Sequence, residues 1–207
     1  MVSNYPVSFD VDFPSRPLGR LSTAFRFIVA IPIMVVLTML SGAAFNDSER
    51  NEAANSIVIG GAAVFVPLVL MLVFRQKYPR WWFDWNINLL RFSNRVTAYL
   101  ALLDDQYPST DEDQSVHLDF TYPDAKQLNR WLPLVKWLLA IPHYFVLFFL
   151  GIGAAFAVVI AWFAILFTGT YPRSLFDYVV GVLRWSNRVN GYAFSLVTDQ
   201  YPPFSLR

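Results

Sequence analysis

Two stretches of this sequence carry charged residues at a spacing that a helix brings to one side. Asp84, Asn88, Arg91 and Arg95 fall close to a single stripe at 3.6 residues per turn, among Trp81, Trp82, Trp85, Leu89 and Phe92. Further along, Asp177, Arg184 and Arg188 form a matching stripe, with Gly181 in the place of Asn88. Helices of this kind suit a membrane–water interface, where aromatic rings settle at headgroup depth and arginines reach phosphates. A second role is open to the same side chains. Asp near a helix start and Arg near its end complement the helix dipole and pair with neighbouring strands. Asp84, Arg91, Arg95, Asp177, Arg184 and Arg188 are therefore candidates for binding lipid headgroups or a partner protein, with internal pairing as the alternative.

Three further ionisable residues lie within apolar runs. Arg26 and Lys136 occupy matching places where long basic side chains snorkel to an interface, and Asp10 and Asp119 are their expected interior partners. His143 follows Pro142 where a titratable group is uncommon, so Arg26, Lys136 and His143 together are a candidate polar path. The residue matching His143 is Ile33, which favours a lone hydrogen-bonded or lipid-edge histidine over a relay. Pro32 and Pro142 are expected to kink their helices. There is no cysteine and there are two histidines, and no GxSxG, HExxH, Walker or zinc spacing occurs. The expectation is a non-enzyme with no catalytic residue, metal or cofactor.

The elements that would hold these residues follow from composition and period. The 207 residues are 56% hydrophobic and 15% charged, against about 25% charged in soluble chains, and such apolar excess needs lipid as solvent. A net charge of +1 argues against nucleic acid as partner. Four runs, Leu21 to Leu40, Ile57 to Phe74, Leu132 to Leu150 and Ile152 to Phe167, approach the roughly 20 residues that cross a bilayer. Val7, Phe9, Val11 and Phe13, and again Val116, Leu118, Phe120 and Tyr122, alternate with polar residues and predict strands. Val96 to Leu103 and Val189 to Val197 are their expected strand partners, with Ser-Asn-Arg-Val ending the preceding helix.

An internal repeat organises the whole. Tyr78 to Tyr99 aligns with Tyr171 to Tyr192 at a shift of 93 with 12 identities in 22 positions, where chance gives about one or two. Asp105-Gln106-Tyr107-Pro108 matches Asp199-Gln200-Tyr201-Pro202, and Ala30-Ile31-Pro32 matches Ala140-Ile141-Pro142. The expected fold is membrane α+β: four transmembrane helices as two parallel two-helix repeats, 1–109 and 110–207, with two interfacial amphipathic helices and a small cytoplasmic β-sheet. Of 16 Lys and Arg, only Arg50 falls between paired runs, so the positive-inside rule places both chain ends in the cytoplasm and Asn46 to Asn55 outside.

The Tyr5-Pro6-Val7 opening, the paired Ala-Ile-Pro, and the closing Arg-Trp-Ser-Asn-Arg-Val and Asp-Gln-Tyr-Pro-Pro-Phe resemble an uncharacterised bacterial membrane-protein family, catalogued as a domain of unknown function. The resemblance covers essentially the full length and implies a protein of the bacterial cytoplasmic membrane, with no established activity or ligand to carry over. Three functions follow as expectations. The first is a non-enzymatic module that binds anionic lipid headgroups or a partner membrane protein, in an accessory or assembly role. The second is a homo-oligomeric channel or transporter for an ion or small solute. A lipid-modifying enzyme using Asp84 or Asp177 comes last, because no nucleophile accompanies them.

Overall fold

The computed structural model describes residues 5–40, 65–110 and 112–207. The expected outer loop Asn46 to Asn55 and the start of the run at Ile57 lie outside these. Strand β1 (Val7–Val11) is followed by helices α1 (Arg20–Val29) and α2 (Ile31–Leu40), then α3 (Phe65–Arg75) and α4 (Arg80–Leu100). Strand β2 (Val116–Phe120) precedes a short turn at Leu132–Leu134, α5 (Lys136–Leu139), α6 (Ile141–Thr168) and α7 (Arg173–Ala193).

Four transmembrane helices are not supported. Among the described residues only α6 is long and apolar enough to cross a membrane. The first expected span is instead α1 and α2, bent by 44° where Pro32 removes a backbone donor and crowds the preceding turn. The third and fourth expected spans are one helix, because α6 runs unbroken through Gly151 and Gly153. At Gly153 glycine serves close approach: a Cβ would stand 2.5 Å from the Tyr178 hydroxyl, which donates to the Leu150 carbonyl at 3.0 Å.

The two expected strands pair with each other, antiparallel, from Val7 opposite Phe120 to Val11 opposite Val116. Both bury alternate residues, leaving Ser8, Asp10, His117 and Asp119 outside. Their expected partners are not strands. Through Leu100 and Ala193, α4 and α7 continue as helix, then stop at Leu102 (φ 64°) and Leu196 (φ 53°), two buried leucines in the left-handed region. Ser-Asn-Arg-Val does not end the helix because its asparagine is used sideways: Asn94 and Asn187 each donate to a carbonyl one turn back and to one another.

Three layers result. The sheet packs its apolar face on α4 and α7, with β1 on α7 and β2 on α4. On their other side α4 holds α2, through Phe92, Val96 and Tyr99 against Ala30 and Ile33, and α7 holds α6, through Trp185, Val189 and Tyr192 against Ala140, Tyr144 and Leu147. The outer surface of α1, α2 and α6 exposes a run of large apolar residues, among them Phe25, Phe27, Ile28, Phe145, Phe156 and Phe167.

Candidate functional site

Arg91 and Arg184 are clasps between helix and strand. Arg91 on α4 donates through Nε to the Leu118 carbonyl at 2.9 Å and through Nη2 to Asp119 at 2.7 Å. Arg184 on α7 donates to the Phe9 carbonyl at 2.8 Å and to Asp10 at 2.8 Å. Thus α4 holds the strand that follows it, β2, and α7 holds β1 from the other end of the chain. The planar fork of a guanidinium reaches a backbone oxygen and a carboxylate together through separate nitrogens held in fixed geometry. Asp10 and Asp119, expected to partner Arg26 and Lys136, are taken up here instead.

The remaining stripe residues do not form one surface. Arg95 donates to the Ser109 carbonyl at 2.8 Å. Arg188 is buried and ties down the C-terminal segment through the Ser205 and Arg207 carbonyls. Burial, and then the neighbouring Arg184 charge, push its guanidinium below the ordinary arginine value. Asp177 pairs one turn back with Arg173 at 3.0 Å on the surface. Asp84 is exposed, with no hydrogen-bond or ionic partner among the described residues. Where Asn88 is replaced by Gly181, a Cβ would lie 2.9 Å from the Leu206 carbonyl, so glycine admits the tail that Arg184 also contacts at 3.3 Å.

Arg26 and Lys136 do not snorkel; both are fully buried. Arg26 pairs with Asp105 and donates to the Tyr99 and Asp104 carbonyls at 2.9 and 2.7 Å. Lys136 pairs with Asp199 at 2.7 Å and donates to the Thr198 carbonyl, also at 2.7 Å. Sequence reasoning missed both acids as partners, although the signal was present in the Asp of the paired Asp-Gln-Tyr-Pro. His143 is enclosed, accepting from the Trp185 indole at 3.1 Å and stacked on Phe204 with centroids 4.0 Å apart. Because Nδ1 accepts, the neutral ring carries its proton on Nε2, which has no hydrogen-bond partner among the described residues. Arg26 keeps its own partners on the Tyr99–Asp105 segment, while Lys136 and His143 are linked through aromatic rings, Lys136 lying 5.3 Å from the Tyr192 centroid, Tyr192 5.7 Å from Tyr201, and Tyr201 4.7 Å from His143.

Two cavities frame what the surface can hold. One of about 420 Å³ lies between α2, α3, α4 and α7, lined mostly by Leu37, Phe65, Leu68 and Leu90, with Asn86 and Asn190 as polar spots. A polar cleft of about 630 Å³ beside β1 brings together Asp10, Asp12, Asp177, Arg173, Arg184 and Arg207, three charges of each sign. Such balance gives no net attraction for an anion. Among the described residues, exposed cations without an ion pair stand where apolar helices begin or end: Arg16 before α1, Arg20 at its first residue, Arg75 at the last residue of α3 and Lys77 just beyond it. Near the second pair Arg130 clasps the Phe74 carbonyl at 3.0 Å, which brings the exposed Trp131 beside it, and Trp81 is also exposed.

The arrangement defines an α+β chain with an exposed apolar helical layer on one side and a charged two-stranded sheet on the other. Residues 131–205 match the family model DUF4389, a domain of unknown function, in keeping with the resemblance seen in the motifs. No curated protein and no solved structure matches the chain.

Proposed function

We propose that this protein is a non-enzymatic membrane module that binds anionic lipid headgroups, acting as an accessory or assembly factor at the cytoplasmic face of the bacterial membrane. The carrying observation is the apolar layer of α1, α2 and α6, edged by the exposed Arg20, Arg75, Lys77, Trp81 and Trp131. A large exposed apolar surface marks a membrane or partner site, and basic residues with tryptophans at its border match the chemistry of a headgroup region. This moves the headgroup role from Arg91 and Arg184, whose donors are spent on strands, to the edge cations. The chain reads as two like halves, 1–109 and 110–207, supported by the matching clasps, buried ion pairs and left-handed leucines.

Native mass spectrometry of protein extracted with its lipid tests the reading. Retained phosphatidylglycerol or cardiolipin in excess over phosphatidylethanolamine is the expected result. Retention in proportion to bulk lipid, or none, would count against it.

A further inference from the structure

We infer that α6 lies along the plane of the membrane, so that the described part of the chain occupies one leaflet without crossing. This rests on the membrane reading above and adds to it the orientation of the apolar layer. At 1.5 Å per residue the 28 residues of α6 span about 42 Å, more than the roughly 30 Å of hydrocarbon, so length permits crossing. Its neighbours do not. As α6 runs from Ala140 to Gly153 it meets α7 in reverse order: Ala140 packs with Tyr192 and Val189, His143 bonds to Trp185, and Leu150 and Gly153 meet Tyr178. The two helices are antiparallel over this length.

On the far side of α7 the strand β1 follows the same line. A Cβ on Gly191 would touch Val7, Arg184 holds Phe9 and Asp10, and Phe13 packs edge-on against Phe176 with centroids 4.9 Å apart. Whatever tilt α6 takes, α7 and the sheet take too. An upright α6 would hold Asp10, Asp12, His117 and Asp119, all exposed on the outer face of the sheet, at hydrocarbon depth beside it. Charged side chains facing lipid at that depth are strongly disfavoured.

Both ends of α6 also return to polar ground. Its start adjoins the Lys136–Asp199 pair, and at its end the Gly169 carbonyl accepts from Leu18, next to Arg20. Laid flat, the helix turns Phe145, Phe149, Ile152, Phe156, Phe163 and Phe167 toward the acyl chains, while α7 and the sheet stay in water. One helix diameter of about 10–12 Å fits within half of the hydrocarbon thickness.

The Cys-free chain admits single spin labels at Phe145→Cys, Gly151→Cys, Phe156→Cys and Phe163→Cys, each in the full-length protein in phosphatidylglycerol-containing bilayers. Among the described residues nothing lies within 4 Å of a Cβ on Gly151, so its variant guards against misfolding at the aromatic sites. Relative accessibility to oxygen and to a water-soluble nickel chelate reports depth. A flat helix gives similar depths, about 5–10 Å below the headgroups, at Phe145, Phe156 and Phe163, which share one face, with the label at Gly151, about 120° around the helix, shallower. A depth that changes by about 1.5 Å per residue, some 27 Å between the first and last label, would overturn the orientation alone. Chelate-accessible labels at all four sites would overturn the membrane reading itself.

Discussion

The side-chain amides of Asn94 and Asn187 face each other head to tail between α4 and α7, Asn94 donating at 3.0 Å and Asn187 at 2.7 Å. Both are buried, and each uses its second amide hydrogen on its own helix. Replacing either with Ala leaves the other without its cross-helix partner and is expected to cost about 1–3 kcal/mol. The double Asn94→Ala, Asn187→Ala variant should cost less than the sum, because no amide is stranded. Thermal unfolding of the three variants in detergent gives the coupling, and strictly additive losses would show that the pair does not act as a unit.

The buried ion pairs should be the most sensitive positions in the chain. Asp199→Asn keeps the shape but leaves the Lys136 ammonium in a site where it is fully buried. The expected cost is about 3 kcal/mol, the low end of the range for breaking a buried pair, since Asp199 retains 27% exposure. Asp105→Asn should act similarly through Arg26. Restoring most of the loss with Lys136→Met added to Asp199→Leu would confirm that the stranded charge, not the missing contact, is responsible.

Tyrosines that are buried, or in the case of Tyr5 half-buried, set an alkaline limit. Desolvation raises the phenols of Tyr5, Tyr78 and Tyr171 well above their ordinary value of about 10. A folded-state value above the unfolded one means that stability is intact below about pH 10 and declines as pH rises beyond it, because unfolding then releases protons. Phenolate absorbance should rise in two phases, exposed tyrosines first and these three together with loss of helix. A single phase near pH 10 with the fold intact would contradict their burial.

Much of the local architecture was legible because it rests on period and pairing. Alternation marked β1 and β2, and the stripes marked α4 and α7. What was not legible is which element meets which. Val96 to Leu103 is rich in strand-forming residues, yet Val96 and Tyr99 pack on Ala30, at the joint of α1 and α2, and on Ile33 of α2, and tertiary packing prevailed over propensity. Gly151 and Gly153 read as a break because the reason for one of them, the Tyr178 hydroxyl, lies 25 residues away in sequence. The candidate stripe was found, but its split into strand clasps, tail anchor and surface pair depends on contacts across the chain that no local spacing encodes.

Two variants compared in one binding assay separate edge cations that bind headgroups from clasps that hold the fold. Arg20→Gln, Arg75→Gln, Lys77→Gln removes three exposed basic residues, each contributing on the order of 1 kcal/mol near an anionic surface. Arg91→Gln, Arg184→Gln removes both clasps. Flotation with phosphatidylglycerol-containing and phosphatidylcholine liposomes, at low and at moderate salt, is measured beside thermal stability in detergent. The triple variant is predicted to lose at least about tenfold in anionic preference at low salt, with little change in melting temperature. The clasp variant is predicted to melt earlier with its lipid preference kept. Stable clasp variants that no longer distinguish anionic lipid, with triple variants that still do, would place headgroup binding on Arg91 and Arg184 instead.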